Sequence, residues 1–383
     1  MSESKIRYRL LFFLTSGVRG GIEEHALSLL QHLPRDHFSF ALACPPELIE
    51  AMIDELTDLP VTVFPVRATD WTQWRETLQL HHIVQQFRPH IVHCHLFRAT
   101  LVGAPIAWAM RVPVIVETYH GREAWRQGGF IKGRFVIDRL VSCCVSHIIA
   151  VSEAAARFLT EHKRIPVNKI TVIPNGRDLR AFQPGRRAGS AIRKRFQVPA
   201  SAPVLGVIGR LETQKGHQYL LQALPQICAA FPDTRLLLVG EGSLYAALQA
   251  QAKDLGVHDN VIFAGFQRDI PAFLEAMDIV VLPSLHEGLP LTAIEASAMA
   301  KPIVATAVDG TPEVVRDDTT GILVPPAAPD DLANAVLTLL QRPDLAFRYG
   351  AAAHAWVRQQ FDLQRQVDET ERLYLELMAM QKR

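Results

Sequence analysis

The sequence predicts an α/β protein built from two doubly wound domains of similar size. Short apolar runs alternate with longer helical patterns from one end to the other, as they do in βαβ units around parallel sheets. That rhythm is broken once, over 176–203, where Pro184, Gly185, Gly189, Pro199 and Pro203 gather. The break divides 383 residues into two stretches of ordinary domain size, expected as 1–180 and 181–360, with a terminal segment 361–383.

The first strand is expected at 10–14. Its apolar run after basic residues imitates a secretory leader, but it lacks a small-residue cleavage site and runs into Gly17, Gly20 and Gly21, so it reads as a buried strand. Further runs predict strands at 38–43, 61–66, 91–94, 114–118, 148–151 and 170–173 in the first domain. In the second they fall at 204–208, 235–239, 261–264, 279–282, 302–306 and 321–324. Past residue 361, Leu363, Val367, Leu373, Tyr374 and Leu377 keep a helical spacing, which predicts a closing amphipathic helix. The longest apolar stretches, 99–110 and 140–152, fall short of the roughly 20 residues that cross a bilayer.

Composition narrows the function. Forty basic against thirty-nine acidic side chains leave +1, so the concentrated basic face of a nucleic-acid binder is not expected. Five cysteines, an odd number with no C-x-x-C pair, point to a reducing, cytoplasmic compartment. No G-x-G-x-x-G occurs, which argues against an NAD-dependent oxidoreductase.

Ligands of open α/β sheets sit at the carboxyl ends of strands, so the loops after strands carry the chemistry. After the first strand, Gly20 and Gly21 open a helix whose free amides suit an anion, although a plain structural turn explains them equally well. His120, beside Gly121 at another strand end, offers an imidazole for a hydroxyl or for proton transfer. His93 and His95 alternate so that both could face one metal, with Cys94 pointing away. No third ligand at zinc-like spacing accompanies them, and no metal site is expected. In the second half, Arg210 and Lys215 follow one strand; a planar guanidinium and a compact ammonium together suit a diphosphate. Glu287, Gly288, Leu289, Pro290 and Leu291 lead from a strand into a helix, and Glu295 lies within it. The helix start can hold an anion and the carboxylates can accept from sugar diols.

Taken in order, Gly209, Arg210, Lys215, Gly216, Gly240, Glu241, Gly242, Gly265, the E-x7-E pair Glu287 and Glu295, Gly310, Glu313 and Gly321 resemble the donor half of the family four glycosyltransferases. Gly20, Gly21, His25, His120, Gly121, Ser152, Glu153, Pro174, Asn175 and Gly176 look like that family's landmarks in the first half. The resemblance implies the GT-B fold, two facing Rossmann-like domains with a cleft between them, the last helix returning to the first domain. It implies a retaining, metal-independent transfer of a sugar from a nucleotide donor, UDP favoured, to a glycan, glycolipid or lipid-linked acceptor in envelope polysaccharide or glycolipid synthesis. No cofactor beyond the donor substrate is implied.

By the same resemblance, Arg210 and Lys215 meet the diphosphate, Glu295 the ribose, Glu287 the donor sugar, and His120 its reacting end, while Gly20, Gly21 and 288–291 line the donor. A nucleotide-sugar 2-epimerase of the same fold, or a non-catalytic sugar-nucleotide module, is the alternative. Arg122, Trp125, Arg126, Lys132 and Arg134, with Phe130, Phe135 and Arg139 around them, mix basic and aromatic groups as an acceptor or anionic-membrane contact would. A solvated helix with inward aromatics fits the same pattern.

Overall fold

A computed structural model of the chain describes residues 7–67, 74–121, 135–185 and 189–381. The chain divides into two units, one of Met1–Asn175 with Leu363–Arg383 and one of Gly176–Asp362.

The first unit holds a seven-stranded sheet of β1 (Tyr8–Phe13), β2 (Phe38–Cys44), β3 (Val61–Pro65), β4 (Ile91–His95), β5 (Val114–Tyr119), β6 (His147–Ala150) and β7 (Ile170–Val172). Its spatial order is β3-β2-β1-β4-β5-β6-β7, and every pairing is parallel. A parallel sheet covered on both faces needs strands that are apolar on both sides, hence the near-continuous runs. Leu10 and Phe12 face a core shared with the helices Gly21–His32 and Leu363–Met380. Leu11 and Phe13 face the opposite core, filled from Trp74–Phe87, Leu96–Ala109 and Glu153–Glu161.

The second unit repeats the plan with β8 (Val204–Ile208), β9 (Arg235–Val239), β10 (Val261–Gly265), β11 (Ile279–Leu282), β12 (Ile303–Thr306) and β13 (Ile322–Val324), in the order β10-β9-β8-β11-β12-β13. Leu205, Val207, Leu236 and Val304 pack on one face against Leu220 and Leu224 of His217–Ala230 and Leu332 and Val336 of Pro329–Gln341. The chain leaves this unit beside its entry, where Arg177 pairs with Asp362.

Each strand lies on the apolar run that predicts it, with ends displaced by no more than two residues. The displacements follow the ladder: β4 extends to His95 because it pairs with Thr118, and β5 to Tyr119 because it pairs with Ala150. Backbone pairing does not stop where side chains turn polar. Among the described residues, no helix is long and apolar enough to cross a membrane.

Candidate functional site

In the second unit β8 and β11 are neighbours, and their connections depart in opposite directions, so a crevice opens at their carboxyl ends. The loops that follow them are stitched together. The Leu285 N–H donates to the Gln214 carbonyl (2.8 Å), and Gln214 Nε2 donates to the His286 carbonyl (3.0 Å). Gly216 makes this approach possible: its φ is +66°, and a Cβ there would lie 1.9 Å from the Pro283 oxygen. The consequence is a contact across the crevice, in which Lys215 Nζ donates to Glu287 Oε1 at 2.7 Å. Ser284 Oγ donates to the same oxygen at 2.7 Å, and Glu287's own N–H donates to Asp309 Oδ2 at 3.1 Å.

Glu287 is buried, so Lys215 and Ser284 supply what water would otherwise supply to its carboxylate. Arg210 is exposed just past β8. Nearby, the backbone and hydroxyl of Ser243, with Arg210 behind them, hold the Glu212 carboxyl below its ordinary range. Leu289 is buried, Gly288 half-buried, and Pro290 caps the helix Leu291–Ala298. Within that helix Glu295 is buried, its Oε1 2.8 Å from Arg177 Nε. The sequence does not single out Arg177 or Asp309. Arg177 follows Gly176 and Asp309 precedes Gly310, but nothing in the spacing joins 177 to 295 or 309 to 287.

In the first unit the switch lies between β1 and β4. His93 and His95 project to the face covered by the helices Gly21–His32 and Leu363–Met380, while Cys94 joins the opposite core. His93 pairs through Nε2 with Thr118 Oγ1 (2.7 Å) and through Nδ1 with the Tyr374 hydroxyl (2.6 Å). His95 turns elsewhere: its Nδ1 is 3.1 Å from Nε2 of His120, which follows β5. His25, on the helix after β1, completes a triangle, with ring centres 5.4 Å from His95 and 4.9 Å from His120. Its Nδ1 lies 2.8 Å from Asn175 Oδ1 and 3.0 Å from Gln366 Nε2.

Burial pushes His25 down to about 4 and holds His93, His95 and His120 well below the usual imidazole value, so all four are neutral near pH 7. Directly after His95, Leu96 takes a φ of +71°, a strained conformation for a branched side chain and of the kind that gathers at functional sites.

Gly20 caps the helix Gly21–His32 and Gly21 begins it. Glu23 and Glu24 already occupy its first turn, where the helix dipole favours negative charge. Glu23 is buried, and its Oε2 would lie 3.2 Å from a Cβ on Gly20. An anion at these glycines would therefore share the helix end with a carboxylate. Arg122, Trp125, Arg126, Lys132 and Arg134 lie outside the described residues. The helix that follows, Val136–Ser142, leaves Val136, Ile137 and Leu140 exposed at 49%, 57% and 65%.

Residues 19–181 match the model of Glycosyltransferase Family 4, and residues 202–342 that of Glycosyl transferases group 1. The chain is 26% identical over 386 residues to a UDP-Gal:alpha-D-GlcNAc-diphosphoundecaprenol alpha-1,3-galactosyltransferase of Escherichia coli, a match covering 99% of this chain and 98% of that one. It is 32% identical over 286 residues to a D-inositol 3-phosphate glycosyltransferase of Segniliparus rotundus, covering 71% of this chain and 63% of the relative. Among solved structures, Anabaena Alr3699/HepE in complex with UDP and glucose is similar with a TM-score of 0.85 at 23% identity, covering 97% and 100% of the two chains. WaaG, a glycosyltransferase involved in lipopolysaccharide biosynthesis, is similar with a TM-score of 0.75 at 15% identity, covering 95% and 99%. The fold is the GT-B fold, with two Rossmann-like domains.

Proposed function

The chain belongs to the family four glycosyltransferases, and we propose that it is a retaining, metal-independent enzyme that moves a hexose from a UDP-sugar to a lipid-linked saccharide. The observation that carries this reading is the Lys215–Glu287 contact at the switch point of the second unit. Cleaving a glycosyl phosphate builds negative charge on the departing oxygen. A fixed ammonium at Lys215, the Arg210 guanidinium and the amides at the start of Leu291–Ala298 stabilise that charge without an ion.

Glu287 Oε1 already accepts from two donors, which suits a carboxylate that aims Lys215 and binds a sugar hydroxyl more than it suits a nucleophile. Retention then follows from attack on the face the leaving group departs from, with no glycosyl-enzyme required. His120, neutral and partly exposed, exchanges a hydrogen bond with the donor sugar near its reacting carbon. Glu295, aimed by Arg177, accepts from the ribose diol.

The nucleotide in the E. coli relative's name and the UDP in the Anabaena complex support UDP; the same relative's name supports a polyprenyl diphosphate-linked acceptor. The basic and aromatic residues of 122–135, followed by exposed Val136, Ile137 and Leu140, support docking on the anionic cytoplasmic face of a membrane, where such an acceptor resides. Flotation with acidic liposomes at low salt tests the docking, and absence of retention rejects it.

A thermal-shift panel of UDP, GDP, ADP and NAD in chelator tests the donor. A ligand at a hundred times its Kd adds about 2.7 kcal/mol of stability to a native state that alone binds it. Stabilisation by UDP supports the reading; a response to NAD alone, or to none of the four, overturns it. An isomerised sugar from UDP-sugar without acceptor would make the chain a 2-epimerase instead.

A further inference from the structure

We propose that His25, His95 and His120 form a site for a borderline divalent transition-metal cation of the zinc class, with a fourth position open at the partly exposed His120. Three separate elements deliver these rings: the helix after β1, the end of β4 and the turn after β5. One ring nitrogen from each lies within 4.8 Å of the other two. With metal–nitrogen bonds of about 2.0–2.1 Å, three imidazoles on a tetrahedron hold their nitrogens about 3.3 Å and their ring centres about 5 Å apart. The ring centres here are 4.9, 5.4 and 5.4 Å apart, and His95 Nδ1 stands 3.1 Å from His120 Nε2. The His95–His120 pair already stands at ligating separation, and the 4.8 Å limit on the other pairs means that His25 closes by no more than about 1.5 Å.

His95 is fully buried, and Nδ1, the nitrogen that meets His120, is the one hydrogen-bonded atom of its ring; Nε2, on the other side of the ring, has no partner among the described residues, so no second hydrogen bond holds the ring in place. Around the triangle, the Asn175 side-chain carbonyl accepts from His25 Nδ1, as outer partners of metal-bound histidines do; this leaves Nε2 as the ligating atom, and the Gln366 amide, 3.3 Å from it, has to turn away when a cation enters. A set of three imidazoles with no carboxylate selects zinc, cobalt, nickel or copper over magnesium or calcium. Three neutral ligands leave the cation's charge uncompensated, so the open position favours an anion. Occupation would also withdraw His120 from the donor sugar, so the metal would inhibit transfer reversibly. Only that consequence rests on the proposed function; the site itself stands on the geometry.

The test titrates the chelator-stripped full-length protein with Co²⁺, read by the visible bands of four-coordinate cobalt, and with Zn²⁺ by calorimetry. One equivalent is expected. His25→Gln, His95→Gln and His120→Gln should each weaken binding by about a hundredfold or more, and Asn175→Ala by about 10–100-fold. Cys143→Ser and the double change His81→Gln with His82→Gln, both away from the triangle, should leave it unchanged. Because His95 is buried, metal-free melting curves accompany every variant, and if His95→Gln fails to fold, the partly exposed His120 decides the outcome. Cobalt binding by His25→Gln and His120→Gln as tight as that of the unsubstituted protein, or no saturable heat with zinc, overturns the site. Bound zinc without inhibition leaves the site standing and removes His120 from the reaction; bound zinc in a protein that transfers from no donor rejects the glycosyltransfer reading alone.

Discussion

Lys215 and Glu287 show how much one side chain decides. Lys215 is paired with the buried carboxylate of Glu287, so Lys215→Ala removes a charge from the proposed diphosphate site and an anchor from Glu287 together. We expect kcat/KM to fall by about 10²–10³-fold, the usual loss of one preorganised electrostatic contact, with a comparable loss for Arg210→Ala. Urea melts beside kinetics check this, and unchanged activity in the folded fraction would reject it. His25 makes a second prediction at this scale. Its imidazole titrates at about 4 in the fold and near 6.5 in an unfolded chain, so between those values only the unfolded chain takes the proton. The contribution is constant above pH 6.5 and falls away as pH drops toward 4, by about 3 kcal/mol at the low end. Urea midpoints measured from pH 8 to pH 4.5 should stay level and then decline, and His25→Gln should flatten part of that decline.

At the scale of elements, backbone geometry decides whether the side chains meet. Gly216→Ala should move the 213–217 turn off the Pro283 carbonyl, destabilise by about 2 kcal/mol and depress turnover further by displacing Lys215. Gly185 is the control: its φ is +73° but nothing stands within 4 Å of its added Cβ, so Gly185→Ala should lose only about 1 kcal/mol and no activity. The helix Val136–Ser142 is tied down by a buried pair, Lys163 Nζ to Asp138 Oδ1 at 2.7 Å, with the ammonium 4.4 Å from the centre of the Tyr119 ring. Lys163→Met takes a cation from a buried carboxylate and should destabilise by about 3–5 kcal/mol, whereas adding Asp138→Leu should recover part of it. Denaturation of the two variants side by side measures how much of the loss comes from the carboxylate that keeps its charge without Lys163.

At the scale of the whole molecule, chain order and membership of a unit part company. The helix Leu363–Met380 follows the entire second unit in sequence yet packs in the first, burying Leu363, Val367, Leu373, Tyr374, Leu377 and Met378. At about 1.5–3 kcal/mol for each fully buried apolar side chain, this one helix contributes roughly as much as the net stability of a domain. A fragment of residues 1–175 should therefore fail to give a cooperative melt, and joining 363–383 to it by a flexible linker should restore one. Calorimetry of the two fragments decides it, and a cooperative melt of 1–175 alone would reject the idea.

The sequence by itself determined the elements and the inventory. A strand buried on both faces is written as a continuous apolar run, and a helix on a sheet as a 3.6-residue period; both signals are local, so the strands were legible within a residue or two. The residues at single strand ends, Arg210 with Lys215 and Glu287 with Glu295, were legible for the same reason. The tertiary structure alone decided which of them meet. Lys215 reaches Glu287 across 72 residues, Arg177 reaches Glu295, and Tyr374 reaches His93 across 281. His95, paired with His93 by spacing, instead joins His25 and His120, while His93 turns to Thr118 and Tyr374. These meetings are set by which strands lie side by side, β1 beside β4, β4 beside β5 and β8 beside β11, and by the register between them. Periodicity records how a segment is buried; it carries no record of the distant segment that buries it.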